Sequence, residues 1–296
     1  MSWRDRGPYW GLLPVRACPY CRVVPEITTL PPMRSRTAGQ EVIAEFLRQQ
    51  ALVPPRTRFA RLLGRSPLST ESRPWYIGAE GEIAVGRELA DLPPGWTVLH
   101  AVPIGTKGSD IDHIVIGPGG VFTVNTKHHL GKNIWVGRRA LMVNGRKVPY
   151  LRNAEYEATR VTKLITERMS SALEVRPLVV IVAPRQITIR EKPDRVAVLN
   201  SRHLRRWLEK RPAALADADV SSLTAVLDDP EVWGAATVTR SDANAEFARL
   251  DAEVRSARTR RKLWAGAGIV GIGAVLLGGL PLALQLYAEL VLSLMP

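Results

Sequence analysis

Three polar residues near the middle of the sequence interrupt otherwise apolar stretches, and they are the best candidates for chemistry. Asp112 interrupts the apolar run from Ile111 to Ile116, whereas Asn125 and Lys127 close the run that begins at Val121. Burying a carboxylate or an ammonium group without a partner costs several kcal/mol, which is on the order of the whole stability of a domain. A carboxylate is also a good ligand for Mg²⁺. The three residues therefore indicate a functional site or an ion pair.

The elements that must position these residues are two strands joined by a tight turn. Both stretches are rich in β-branched and aromatic residues and are bounded by Gly and Pro, as is typical of strands. Alternate residues of a strand share a face, so Asn125 and Lys127 point to the same side. Across such a hairpin, Asp112 and Lys127 are expected near each other at one end.

This arrangement resembles the core of the PD-(D/E)XK nucleases. In those enzymes an Asp on one strand and a Glu on the next hold a divalent metal, and a Lys two residues later assists the attacking water. With the residues upstream included, the sequence more closely resembles the nuclease-related domain (NERD) family. The matching motifs are Gly81-Glu82, Asp112-His113 and Asn125-Thr126-Lys127.

The resemblance extends over about residues 75–210. It implies an α/β fold of the restriction-endonuclease-like type, a mixed sheet flanked by helices, and Mg²⁺-dependent hydrolysis of DNA or RNA. The catalytic residues would be Glu82, Asp112, Asn125 and Lys127, with Asp112 and Glu82 as metal ligands. The backbone carbonyl of residue 126 could add a ligand, and Lys127 would orient the water and offset phosphate charge.

Asn125 departs from the pattern of nucleases of this fold, which commonly have Glu or Gln at this position. An amide oxygen can bind Mg²⁺ but brings no charge, so a second reading stays open: an inactive nuclease fold that binds nucleic acid or a protein partner at the cytoplasmic membrane face. A third is a membrane scaffold whose basic surface meets lipid headgroups. His113, His128 and His129 could contact nucleic-acid phosphate, although packing or surface roles explain them as well.

The composition favours a polyanionic partner and a reducing compartment. The 296 residues carry a formal charge of +13, which suits nucleic acid or an anionic membrane. Two cysteines, Cys18 and Cys21, are too few for a disulfide framework, and they are either ordinary thiols or half of a zinc site completed by a partner chain. Neither a Walker loop nor a dinucleotide fingerprint is present, so no nucleotide cofactor is expected.

The C-terminal stretch from Leu263 to Ala288 contains no charged residue. It exceeds the roughly 20 residues that cross a bilayer. The basic residues before it, from Arg258 to Lys262, predict a single-pass anchor in the cell membrane with the bulk of the chain in the cytoplasm. The start of the sequence shows no signal peptide, and the sequence does not indicate an oligomeric state.

Four regions are expected along the chain. Pro- and Arg-rich residues predict a basic, partly disordered extension with a short helix, and the NERD domain follows. A helical linker then leads to the transmembrane helix. The predicted bounds of these regions are 1–72, 73–210, 211–262 and 263–288.

Overall fold

The computed structural model describes residues 30–104, 109–169, 172–234 and 242–294 of the chain. The Cys18 and Cys21 pair and residues 105–108 lie outside the described residues. So does Ser241, where a long polar helical pattern starts in the sequence. The described chain forms two mixed sheets flanked by helices, which confirms the predicted α/β class.

The helices and strands are named here in chain order. The helices are α1 (Gln40–Gln50), α2 (Arg58–Leu62), α3 (Ser72–Ala90), α4 (Tyr150–Met169), α5 (Leu204–Glu209), α6 (Asp217–Asp228), α7 (Ala243–Ala274) and α8 (Leu280–Ser293). The strands are β1 (Thr97–Ile104), β2 (Ser109–Gly117), β3 (Gly120–His128), β4 (Asn133–Gly137), β5 (Ala140–Val143), β6 (Arg146–Val148), β7 (Arg176–Val182), β8 (Gln186–Ile189) and β9 (Ala197–Asn200).

The larger sheet has the strand order β1-β2-β3-β7-β9 and places β3 at its centre. The strands β1, β2 and β3 are antiparallel, whereas β3, β7 and β9 are parallel. Every side chain from Gly120 to Thr126 is buried, as expected for a strand covered on both faces. The smaller sheet has the order β6-β5-β4-β8.

The hairpin of β2 and β3 turns through Pro118 and Gly119, with Gly117 paired to Gly120. Gly120 has a φ of 120°, a backbone conformation that only glycine adopts without strain. The short turn fixes the strand register, so that His113 lies opposite Val124.

Helices cover both faces of the larger sheet. On one face Leu89 of α3 and Leu204 of α5 pack against Phe122 and Val124, and on the other Val161 of α4 belongs to a core with residues of β1, β2 and α6. A further cluster joins α1, α3 and α7 through the aromatic rings of Phe46, Tyr76 and Phe247. This cluster attaches part of the N-terminal region and the start of the last helix to α3.

The last helix is continuous from Ala243 to Ser293 and has 51 residues. Within the described residues it is the one helix whose length and composition would allow it to cross a membrane. The most apolar 18 residues of this helix are not buried against the rest of the protein. A π-helical turn, Val275–Gly279, precedes Pro281. Because proline has no backbone N–H to donate, such an adjustment accommodates it without ending the helix.

Candidate active site

Gly81 allows α3 to approach the carboxyl end of β3. A Cβ atom at Gly81 would lie 3.0 Å from Cβ of His128 and 3.5 Å from Cγ2 of Thr126, so a larger residue would push the helix away. Glu82 follows directly and is 5% exposed. The Gly-Glu pair therefore brings a carboxylate to the end of the central strand.

The hairpin brings the other predicted residues together. His113 and Val124 are the last paired residues of the β2–β3 ladder, so Asp112 and Asn125 come next on the two strands. One oxygen of Asp112 accepts a hydrogen bond from the backbone N–H of Thr126. The Nζ atom of Lys127 lies 5.5 Å from the centre of the Tyr150 ring, a favourable position for a cation.

A cavity of about 830 Å³ opens beside these residues. Glu82, Asp112 and Lys127 all line it, so the structure brings three of the four predicted catalytic residues to one space. Its remaining polar lining includes Asp110, Arg73, Thr126, His128, His129 and Tyr150.

The carboxyl groups around Asp112 have strongly altered proton affinities. Burial, together with the negative charges of Asp112 and Asp110, raises the pKa of Glu82 to about 10. Burial and the Asp112 carboxylate raise the pKa of Asp110 to about 7 and that of Glu157 to about 8. Burial also raises the pKa of Asp112, although the Lys127 ammonium and the Thr126 amide oppose that shift. Ionising all of these carboxyl groups at once would place several like charges in this space, so Glu82 and Glu157 keep their protons near neutral pH.

The donor atoms suit a hard divalent cation. Within the described part of the chain, four side-chain oxygens of this group are buried without a hydrogen-bond partner: Glu82 Oε2, Asp110 Oδ2, Asn125 Oδ1 and Glu157 Oε2. Buried oxygens are normally satisfied, and Mg²⁺ prefers carboxylate and amide oxygens. The described residues contain no group of three His, Cys, Asp or Glu assembled as a ready metal site, so ligation would need these mutually repelling groups to draw together.

Sequence reasoning missed two acids of this site, Asp110 and Glu157. Asp110 is two residues before Asp112 on β2 and so shares its face, which is a usable signal. Glu157 lies on α4 and accepts a hydrogen bond of 2.7 Å from Nδ2 of Asn125. In sequence it resembles a solvated helix glutamate, but it is three residues after Ala154 and four before Val161, both of which are buried. That spacing places a carboxylate on the apolar stripe.

The three predicted histidines lie in different places. His113 is fully buried, with Nδ1 2.8 Å from Nδ1 of His100, and the structure does not bring it to the cavity. His128 donates from Nδ1 to the carbonyl of Ile77 over 3.1 Å. His129 lies 3.1 Å from the Tyr150 hydroxyl through Nε2. Both of these line the cavity.

The comparison with known protein families decides the identity of this region. Residues 77–182 match the family model of the nuclease-related domain. The chain contains a nuclease-related domain. The match runs from α3 to the end of β7 and includes Glu82, Asp110, Asp112, Lys127 and Glu157.

One curated relative is an uncharacterized protein of Bacillus anthracis. It is 45% identical over 62 residues, which cover 20% of this chain and 29% of the relative. The chain thus matches less than a third of the length of that relative. No solved structure gives a significant match.

A basic rim borders the cavity of the nuclease-related domain. A second cavity, of about 360 Å³, shares Arg73, His128 and His129 with the first. It is also lined by Lys132 and, from α7, by Arg258 and Arg261. Positive charge therefore extends from the candidate site towards the base of the apolar helix.

The raised pKa values predict how the stability of the metal-free domain depends on pH. A carboxyl whose folded pKa lies above its unfolded value of about 4.5 contributes stability that is lost as pH rises through the folded pKa. Between about pH 6.5 and pH 8.5, Glu82 should therefore lower the free energy of unfolding by up to about 1.4 kcal/mol per pH unit. Unfolding followed by tryptophan fluorescence, in detergent and chelator, measures this slope. The Glu82→Gln variant should show a shallower slope, and an unchanged slope would contradict the assignment.

Proposed function

We propose that the chain is a membrane-anchored, Mg²⁺-dependent nuclease that hydrolyses phosphodiester bonds in DNA or RNA. The observation that carries the proposal is the set of buried, unpartnered oxygens around Asp112. Two of them belong to Glu82 and Asp110, which line the cavity together with Asp112 and Lys127. The nuclease-related domain supports the reaction class. We also propose 73–210 as the bounds of the domain, with 1–72, 211–262 and 263–288 as the extension, linker and anchor.

Each residue has a role that follows from its position. Asp112 and Glu82 would hold Mg²⁺, with Asn125 as a neutral oxygen donor, and Asp112 is oriented by the Thr126 amide. Bound Mg²⁺ supplies charge for the phosphate oxygens and lowers the pKa of a water molecule. Lys127 would orient the attacking water and offset phosphate charge. The basic rim would hold the nucleic-acid backbone.

A cleavage assay on the full chain in detergent tests the proposal. Supercoiled plasmid DNA and a single-stranded RNA are incubated with the protein in Mg²⁺ and, separately, in EDTA. We expect products only in the presence of Mg²⁺. Cleavage that persists in EDTA would contradict the metal-dependent mechanism.

Binding to nucleic acid should be strongly salt-dependent. Neutralising about four phosphates of duplex DNA gives a slope near −3.6 in log affinity against log salt, so affinity falls roughly 100-fold between about 50 and 200 mM salt. Fluorescence anisotropy with labelled DNA in Ca²⁺ or EDTA measures this without cleavage. Arg73→Ala should reduce the magnitude of the slope by about 1, whereas Arg205→Ala, on the exposed side of α5, should leave it unchanged. No binding at about 50 mM salt would contradict the nucleic-acid reading.

A second function stays open because Asn125 brings no charge and is one methylene shorter than the Glu or Gln that nucleases of this fold commonly have. The domain would then be a catalytically inactive module that binds nucleic acid or a protein partner at the membrane. In that case the wild-type protein should not cleave, whereas Asn125→Glu should gain Mg²⁺-dependent cleavage.

A further inference from the structure

Asn125 is the one position of the strand motif where the chain lacks the expected negative charge, and the structure shows what lies beside it. Nδ2 of Asn125 donates to Oε1 of Glu157 over 2.7 Å. Oδ1 of Asn125 is buried and has no partner among the described residues. The amide thus presents a carboxylate from α4 close to where a strand acid would end.

Glu157 is placed for a role in the site rather than for solubility. It belongs to the face of α4 that packs on the sheet, between the buried Ala154 and Val161. It interacts electrostatically with Asp112, Asp110 and Lys127, which links it to every charged residue of the hairpin site. Its second oxygen, Oε2, is buried and unpartnered within the described residues. A carboxylate that served only to bind Asn125 would leave this oxygen unexplained.

We propose that Glu157 supplies, from helix α4, the metal-binding carboxylate that strand β3 lacks, and that Asn125 positions it. The inference rests on the proposed function, because it assigns a ligand to that same site. Asp112, Glu82 and Glu157 then give three carboxylates around one cation, with the Asn125 oxygen as a fourth donor. The Oε2 atom of Glu82, a residue that is 5% exposed, is also buried without a hydrogen-bond partner among the described residues and is a second oxygen available to a cation. On this proposal, Glu157 supplies the charge that Asn125 does not bring.

Metal binding without catalysis tests the inference. The full chain in detergent is titrated with Mn²⁺ by calorimetry, and its affinity is compared with that of three variants. Glu157→Gln keeps the size and the contact with Asn125 but removes the charge. Glu155→Gln is the matched control, two residues away on the same helix. The double variant Asn125→Glu with Glu157→Gln exchanges the two groups and keeps a hydrogen bond between them.

We expect Glu157→Gln to weaken Mn²⁺ binding by at least about 10-fold. Even the mutation of a residue that only hydrogen-bonds to a metal ligand typically lowers metal affinity by about that factor. Glu155→Gln should bind as wild type does, and the exchange variant should recover most of the lost affinity. Thermal midpoints measured in chelator show that each variant is folded.

The outcomes separate this inference from the function on which it rests. Wild-type binding of Mn²⁺ that Glu157→Gln leaves unchanged would overturn the role of Glu157 while the metal site stands. An exchange variant that folds but stays as weak as Glu157→Gln would overturn the idea that the helix acid replaces a strand acid. A wild-type chain that binds no Mn²⁺ would overturn the proposed function and this inference together.

Discussion

Replacing Asp112 by Asn is expected to lower Mg²⁺-dependent cleavage by at least about 100-fold, the usual loss when one charged or polar group that stabilises a transition state is removed. Asp112 lies at the centre of the carboxylate group, and its charge contributes to the raised pKa of Glu82, Asp110 and Glu157. Asparagine keeps the size of the side chain and its capacity to accept from the Thr126 amide. The variant therefore removes charge with little change of shape.

Lys127→Ala should have an effect of similar size for a different reason. Lys127 is the cation among the carboxylates and opposes the rise in the pKa of both Asp112 and Glu82. The loss of Lys127 removes the group that would face the phosphate. It also removes a positive charge that offsets the negative charge of the neighbouring carboxylates. Initial rates on plasmid DNA in Mg²⁺, together with Mn²⁺ affinity, measure the two losses.

Two exposed residues serve as controls for these variants. Asp194 pairs with Arg138 on the surface, and both side chains are more than half exposed, so Asp194→Asn should cleave as wild type does. Lys147 is an exposed residue of β6, and Lys147→Ala should do the same. If Asp112→Asn and Lys127→Ala kept wild-type rates, the activity would belong to another site or to a contaminant.

Ending the chain after Lys262 should move the protein from the membrane fraction to the soluble fraction. Every residue from Leu263 to Ala288 is uncharged, and twelve large apolar side chains described in this stretch, among them Trp264, Leu277 and Leu286, are exposed. A helix of this kind is stable in water only if it is covered, and a bilayer covers it. Sedimentation of cell lysates after carbonate extraction separates full-length and truncated protein. Equal partitioning of the two would contradict an anchoring role for the helix.

The same helix should cross with its N-terminal side in the cytoplasm. Arg258, Arg260, Arg261 and Lys262 precede the apolar stretch and only Glu289 follows it. Positive residues beside a span stay on the cytoplasmic side. A tag on the N-terminus should therefore resist protease added to intact cells and become sensitive after lysis. Digestion in intact cells would show that the helix has the opposite orientation. The domain would then lie outside the cytoplasm and would not meet intracellular nucleic acid.

The elements that sequence predicts best are those with local signals. The hairpin carries β-branched runs and a Gly-Pro turn, and its residues Asp112 and Asn125 lie where the pattern puts them. The smaller sheet is harder to predict from the sequence, because β8 pairs in parallel with β4, which lies about 50 residues earlier in the chain. Its residues Gln186–Ile189 are largely exposed or only partly buried, so no apolar run marks them.

Other differences concern the start of helices and the long-range partners of polar groups. In the sequence, a helical pattern is recognisable from Asn153 onwards, but α4 begins at Tyr150, since the carbonyl of Pro149 already accepts from the amide of Asn153. The proline just before the helix is the local signal for this earlier start. The contact of Glu157 with Asn125 spans 32 residues, and no local pattern encodes it.

The continuous last helix determines how far the proposed enzyme can search for substrate. At about 1.5 Å per residue, its 51 residues form one continuous helix, which runs from the part packed against α1 and α3 to the apolar stretch. The indole N–H of Trp264 donates to the carbonyl of Leu62, and Arg260 donates to that of Arg61, so α2 of the N-terminal region contacts the helix where its apolar stretch begins. A nuclease anchored in this way would stay close to the plane of the membrane and would reach only nucleic acid that comes within about its own diameter of the bilayer.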